Sequence, residues 1–402
     1  MNKEILIPDI RFTGFTEYWE KNKLSDLATI IGGGTPSTSN LEYWNGDIEW
    51  YSPAEIGKQR YIFKSQKKIS RLGLKKSSAK LLPVGTVLFT SRAGIGKTAI
   101  LGKEGTTNQG FQSIIPKKEM LNSYFIFSRT SELKKYGEIT GAGSTFIEVS
   151  GKQMGKMLIS TPSLKEQIKI GELFKNLDNI IDIKQQLIDD HKQLKKAMLQ
   201  KMFPQKGESV PRIRFAGFTG NWKKHKLGNY LTIPEKNEKK VTNLDELITL
   251  KLNLLGMYSG SNRATLELGS TKYYERKAGQ FLYGKQNFFN GSMGIIPAEL
   301  DGKATSGDVP AFDINDINRD YIFTYVSRPS YWKSKESQSS GTGSKRIHEK
   351  VLQTFDINVP SSEEQTKIGN FFKQLDETIV LNEKKLETYQ NLKKAMLQKM
   401  FV

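Results

Sequence analysis

Residues 162–203, PSLKEQIKIGELFKNLDNIIDIKQQLIDDHKQLKKAMLQKMF, return at 360–401 as PSSEEQTKIGNFFKQLDETIVLNEKKLETYQNLKKAMLQKMF. Aligned without a gap, about half the positions are identical, and the final LKKAMLQKMF is the same in both copies. An internal duplication of this kind has to be read before local structure. In each copy apolar residues recur every three or four positions: Ile170, Phe174, Leu177 and Ile181 in the first, Ile368, Phe372, Leu375 and Ile379 in the second. Neither copy carries Gly or Pro beyond Gly171 and Gly369. The pattern predicts two long helices with a coiled-coil stripe, each a rod of about 60 Å. Ser163 with Glu166, and Ser361 with Glu364, have the spacing of a capping box at the helix starts.

An amphipathic rod must bury its stripe, and the nearest complementary surface is its own duplicate. The two helices are therefore expected to pair antiparallel about a pseudo-twofold axis. Lys184 and its equivalent Asn382 interrupt the stripes near their middles, where a polar layer could fix register; a solvated position would explain them equally well.

The lead-ins are also duplicated. Pro8-x-Ile10-Arg11-Phe12-x-Gly14-Phe15-x-x-x-Trp19 recurs as Pro211-x-Ile213-Arg214-Phe215-x-Gly217-Phe218-x-x-x-Trp222. The expected organisation is a first globular domain at 1–160 with lead-in 8–24, a helix at 161–204, a second domain at 205–359 with lead-in 211–227, and a helix at 360–402. Between lead-in and helix the halves share little. Only GTVLF at 85–89 against GQFLY at 279–283, and GAGS at 141–144 against GTGS at 341–344, echo one another. In the first middle part strands are expected at 47–51, 86–90, 100–101, 112–115 and 157–160, and a helix at 122–135. The fold class is α+β: two mixed domains separated by two long antiparallel helices.

The chain carries 61 Lys and Arg against 42 Asp and Glu, a formal net charge of +19 over 402 residues. Such an imbalance calls for a polyanionic partner, nucleic acid foremost. No basic amphipathic segment with aromatic residues on its apolar face suggests a membrane surface instead. Cysteine is absent and the three histidines lie far apart, which excludes disulfides and thiolate metal sites and argues against a histidine metal site. No apolar run reaches membrane-spanning length and the opening MNKEILIPDIRF has no signal core, so a cytoplasmic location is expected.

Catalytic motifs fail on inspection. The turn at 94–98, Gly-Ile-Gly-Lys-Thr, ends like a phosphate-cradling loop, but the position five residues before its Gly-Lys-Thr is Ser91, not Gly. Pro8-Asp9 has no Asp/Glu-x-Lys of a nuclease within the following thirty or so residues, and no Asn/Asp-Pro-Pro-aromatic sequence is present to grip an adenine. A reader of DNA without chemistry of its own fits better. Donor-rich side chains beside glycines are the candidate contacts. In the first half these are Thr35, Ser37, Thr38, Tyr51, Ser52, Lys58, Lys75, Lys76, Ser91, Arg92, Lys97, Thr98, Asn108 and Gln109. In the second they are Arg263, Lys272, Lys285, Asn287, Asn290, Ser292, Lys303, Thr305, Lys345 and Arg346. The polar residues of the identical tails, Lys195, Lys196, Gln200 and Lys201 with Lys393, Lys394, Gln398 and Lys399, are not needed for an apolar seam and are candidate partner-binding surface. A duplication too recent to have diverged would explain them as well.

With the paired lead-ins, GGGTPSTSNLEYWNGDIEWYSP, LLPVGTVLFTSRAGIGKTAI, TNQGFQSIIP and the two PS-x-x-EQ helix starts in view, the chain resembles the specificity subunit of type I restriction-modification systems. The resemblance implies two target recognition domains, each reading half of a bipartite DNA site, and helices that act as spacer and dock two methyltransferase subunits. It further implies S-adenosylmethionine, ATP and Mg on partner subunits, two restriction/motor subunits in a system that cleaves, and no catalysis in this chain. The alternatives are a coiled-coil nucleic-acid-binding adaptor outside restriction and an ATP-binding enzyme built on residues 94–98.

Overall fold

In the computed structural model the described residues are 6–92, 94–142, 148–205, 207–261, 271–340 and 345–402. Arg263, and the paired glycine segments at 143–144 and 341–344, lie outside them. The two predicted helices form at Leu164–Lys201 and Ser362–Lys399. The chain divides into two compact units that cut across the tandem halves. One comprises 1–185 with 384–402, the other 186–383. Each unit thus contains the start of its own long helix and the tail of the other.

Within each unit the two helix segments run antiparallel. In the first, Lys393 reaches Asp178 at 2.6 Å and Phe401 stacks on Phe174 at 5.6 Å. In the second, Lys195 reaches Asp376 at 2.5 Å, Lys192 reaches Glu383 at 2.6 Å and Phe203 lies 5.9 Å from Phe372. As helix position rises on one segment it falls on the other, which is the expected pairing. Asn382 is 9% exposed and donates to the Thr378 carbonyl of its own helix.

The duplicated lead-ins build matching sockets for these tails. Trp19 packs edge-on to Phe401 and near Phe125; Trp222 packs edge-on to Phe203 and Tyr321. A buried arginine caps each tail ring, Arg129 at 5.3 Å from Phe401 and Arg328 at 4.4 Å from Phe203. The backbone closes the joint: Ile10 N–H donates to Lys399 O and Ile213 N–H to Lys201 O, both at 2.9 Å. Burial of the Arg328 guanidinium pulls its pKa below the usual arginine range.

Of the capping-box spacing, the serine half forms at the second helix start, where Ser361 Oγ accepts from Glu364 N–H at 3.4 Å, while the glutamate side chains have a different use. Glu166 and Glu364 are fully buried, and each accepts two hydrogen bonds from a lead-in arginine, Arg11 at 2.7 and 2.8 Å and Arg214 at 2.6 and 2.7 Å. These bidentate pairs raise both arginine pKa values, first through the hydrogen bonds to the carboxylates, and they explain why Arg and Glu recur at the same repeat positions. The neighbouring Gln167 and Gln365 accept from the Asn122 and Asn318 amides at 3.1 and 2.9 Å, locking each helix start to the domain above it.

The middle parts hang on this frame by a two-stranded ribbon each. Glu20–Lys23 pairs with Leu158–Thr161, and Lys223–Lys226 with Asp356–Val359, all antiparallel. The first domain holds a five-stranded sheet in the order Ala28–Gly32, Gln112–Pro116, Val87–Phe89, Thr98–Leu101, Tyr61–Ile62. Its last pair is parallel. Beside it Trp44–Tyr51 pairs antiparallel with Lys67–Ile69 and parallel with Gly105–Thr107. The second domain has a four-stranded sheet in the order Leu231–Thr232, Ala311–Ile314, Phe281–Tyr283, Met293–Ile295. The two faint sequence echoes at 85–89 and 279–283 are inner strands of these sheets, each entered through a glycine at φ +87°, Gly85 and Gly279. The helix expected at 122–135 is two, Ser123–Ser128 and Thr130–Gly141.

Candidate nucleic-acid interface

Sheet topology brings candidates far apart in sequence to one loop cluster in the first domain. Gly34 N–H donates to Thr107 O at 2.8 Å, Asn108 N–H to Tyr51 O at 3.0 Å and Ser91 N–H to Gly110 O at 2.8 Å. Thr35 hydrogen-bonds Gln109, and the Trp50 indole donates to Gly34 O. The loops carrying Thr35, Ser37 and Thr38, Tyr51 and Ser52, Ser91 and Arg92, and Asn108 and Gln109 are therefore neighbours. A Cβ on Gly33 would lie 1.9 Å from Asn108 O, so only glycine allows these loops to meet.

Not every candidate presents its side chain. Ser37, Thr38 and Gln109 are exposed, whereas Tyr51 and Ser91 are buried and shape the cluster from beneath. Arg92 lies 3.8 Å from Glu148. Lys75 and Lys76 end the helix Arg71–Lys75, just before Ser78, which packs on Gly34. Beneath the cluster, the strand Trp44–Tyr51 carries Glu49, 1% exposed. Its carboxylate accepts from the Ser65 amide and hydroxyl at 2.8 Å and from Lys103 and Lys68 at 3.1 Å. Burial alone would raise its pKa, but these hydrogen bonds outweigh it and hold the group at about 2.

Lys58, Lys97 and Thr98 fall elsewhere, in a cleft of about 920 Å3 between the first domain and the long-helix segments of its own unit. The turn at 94–98 closes on itself: Thr90 Oγ1 donates to Gly94 O at 2.7 Å and accepts from Lys97 N–H at 3.0 Å. It feeds the strand Thr98–Leu101, not a helix. The geometry thus lacks the helix N-terminus that a phosphate-cradling nucleotide loop uses, and the ATP-binding alternative loses its support.

The second domain places its loops at the same strand end. Val149 N–H donates to Ser91 O in the first domain, and Ile347 N–H donates to Lys285 O in the second. Here a cleft of about 910 Å3 is lined by Lys272, Asn287, Ser292 and Thr305 among the candidates. Arg346 pairs with Asp308 on its wall at 2.8 Å, and Lys285 pairs with Glu349 at 3.0 Å. Ser292 and Thr305 are buried, and Asn290 donates to Asn287. Lys272 pairs with Glu238, Lys303 donates to Asp245 O and Lys345 pairs with Glu336; the last two do not line the cleft. Phe288 is fully buried against Tyr283 and Phe355. Sequence reasoning missed Tyr258, Tyr274 and Gln286 on the cleft lining. It also missed Arg276, buried beside it, which donates to Thr305 Oγ1 at 2.7 Å and has its pKa lowered to about 10 by burial. No motif or repeat position marks Arg276 in the sequence.

The family model of the type I restriction modification DNA specificity domain matches twice, at residues 16–192 and 220–390. The chain belongs to the type I restriction modification DNA specificity domain family. It is 25% identical over 409 residues to the MjaIX specificity subunit of Methanocaldococcus jannaschii, covering 95% of this chain and 92% of that one. A shorter match, 30% identical over 174 residues, is to the HindI specificity subunit of Haemophilus influenzae, covering 41% and 38%. Among solved structures, the type I S subunit from M. genitalium superposes with a TM-score of 0.60 over 99% of both chains at 13% identity. That likeness supports the fold. The two matches fall one in each tandem half, each spanning a middle domain and much of the long helix that follows it, and this chain is a two-reader specificity subunit.

The tails divide unequally. Lys195 and Lys393 are spent on the interhelical pairs with Asp376 and Asp178. Lys196, Gln200 and Lys201, with Lys394, Gln398 and Lys399, are exposed. Among the described residues no group of three or more His, Asp or Glu could hold a metal ion, and no helix is long and apolar enough to cross a membrane.

Proposed function

We propose that each reader recognises one half of a bipartite DNA site and that the chain supplies specificity, not chemistry, to an adenine methyltransferase and, where cleavage occurs, an ATP-dependent endonuclease. The observation that carries this reading is a repeated frame holding two unlike loop clusters, each at the equivalent strand end of its own domain. The frame is duplicated down to the Arg11–Glu166 and Arg214–Glu364 pairs, while the loops share almost no sequence. On this reading the exposed tail residues Lys196, Gln200, Lys201, Lys394, Gln398 and Lys399 dock two methyltransferase subunits. S-adenosylmethionine, ATP and Mg belong to the partners, and two restriction/motor subunits join in a cleaving system. The long helices set the gap between half-sites, about 34–36 Å for sites one turn apart on one face of B-DNA.

Adenine methylation mapped by single-molecule sequencing in cells with and without this chain should reveal one bipartite motif that disappears with the chain. A helix variant lengthened by one turn in both copies should keep both half-sites and change the spacer. Methylation independent of the chain would sink the specificity role, and an unchanged spacer would sink the ruler.

A further inference from the structure

The cleft holding Lys58 and Lys97 has a counterpart at the same repeat position of the second unit, and the two differ in charge. In the first unit it is lined by Lys58, Arg60, Lys97, Lys134 and Lys393, against Asp178 and Asp182. In the second a cleft of about 410 Å3 is lined by Lys373 alone among cations, against Asp320, Asp376 and Glu377. Phe127 and Phe323, and Asp178 and Asp376, mark the correspondence.

The two carboxylates of the first cleft are already engaged. Asp182 pairs with Arg60 at 2.7 Å and Asp178 with Lys393 at 2.6 Å. Lys58 and Lys97 have no acidic partner among the described residues, and Lys134 has only an exposed pair with Glu138 at 3.8 Å. The backbone gathers these three. Gly57, at φ +104°, packs on the Lys97 stem, with Lys97 Cδ 3.2 Å from where a Cβ would sit. Gly96, at φ +94°, rests against Lys134, where a Cβ would come within 2.3 Å of Cγ. Phe63, 55% exposed, forms part of the wall.

We infer that this cleft binds DNA backbone phosphates outside the half-site read by the first domain, through Lys58, Lys97 and Lys134, and that the acidic counterpart in the second unit does not. The inference rests on the proposed reading of DNA by both domains and adds where one of them grips the backbone. Ammonium groups act there as compact point charges on phosphate without base selectivity. DNA is favoured over an acidic protein segment because DNA recognition is the family's role and the uncompensated charges belong to one reader, not to the duplicated surface that a common protein partner would meet twice.

The test uses the full chain in complex with its methyltransferase. Binding to the cognate duplex is measured against salt for the parent, Lys58→Gln with Lys97→Gln, and Lys373→Gln as the second-unit control. Each phosphate that a lysine no longer neutralises should reduce the log–log salt slope by about 0.9, so the double variant should lose about 1.8 and Lys373→Gln nothing. The methylated sequence and the thermal midpoint should stay unchanged. An unchanged slope overturns the inference. So does loss of methyltransferase binding at unchanged slope, which would make the cleft a protein surface, or an altered methylated sequence, which would make these lysines base readers. Sequence-independent binding by the parent complex would count against the two-half-site reading, while the slope difference would still decide the cleft.

Discussion

The two units share a frame and differ in how completely it is filled. Phe203 in the second unit is fully buried among Trp222, Tyr321, Tyr325 and Phe372. Its twin Phe401, in an identical decapeptide, is only half-buried against Trp19, Phe125 and Phe174. The difference teaches that identity of the tails does not make their sockets equivalent. What surrounds a ring decides how much its burial stabilises, at roughly 25 cal/mol per Å2 of apolar surface.

The largest expected effect breaks that comparison directly. Phe203→Ala should destabilise the second unit by about 3–5 kcal/mol, the range for emptying an aromatic core site. Phe401→Ala should destabilise the first by about half as much. Hydrogen exchange followed in each unit separately would show it; equal effects would mean that the sockets are energetically alike.

A second contrast is acid sensitivity. Glu49 lies in the first reader and has its pKa lowered from 4.5 to about 2. A depressed carboxylate contributes stability that is full above 4.5 and lost as pH falls through about 2, so the first reader should loosen across that window. The full contribution is about 3 kcal/mol by linkage. Exchange at the strand Trp44–Tyr51 should rise in that range in the parent, and Glu49→Gln should lose stability at neutral pH and flatten the profile. An unchanged profile would assign the acid response to other groups.

The smallest effect concerns the interhelical pairs. Lys195→Gln and Lys393→Gln remove partly exposed ion pairs to Asp376 and Asp178 and should each cost at most about 1 kcal/mol. Lys393→Gln should cost the more, because Asp178 is 7% exposed and also accepts from the Tyr124 hydroxyl. Denaturant titration of the two variants would rank them.

The frame was legible because its signals are local: a helical period, a repeated Trp, a run of identical residues. The partner of Glu166 was not, because Arg11 is 155 residues away and a local capping motif offers a simpler use for the same glutamate. The loop cluster was legible as residue types but not as a place. Thr35 meets Gln109 across 74 residues, through strand order that no spacing encodes. The same limit separated Lys58 and Lys97 from the other candidates, since the turn at 94–98 packs sideways on Lys134 and not toward the loops.

The exchange of tails also bears on how the molecule would survive a cut. Phe203 and the backbone of Lys201 are anchored in the second unit, and Phe401 and Lys399 in the first. A protease nick between residues 204 and 210 would leave each fragment clasping the other, like two links closed before the weld is broken. The peptide joining the halves secures synthesis as one chain, while the clasp itself is made of side chains.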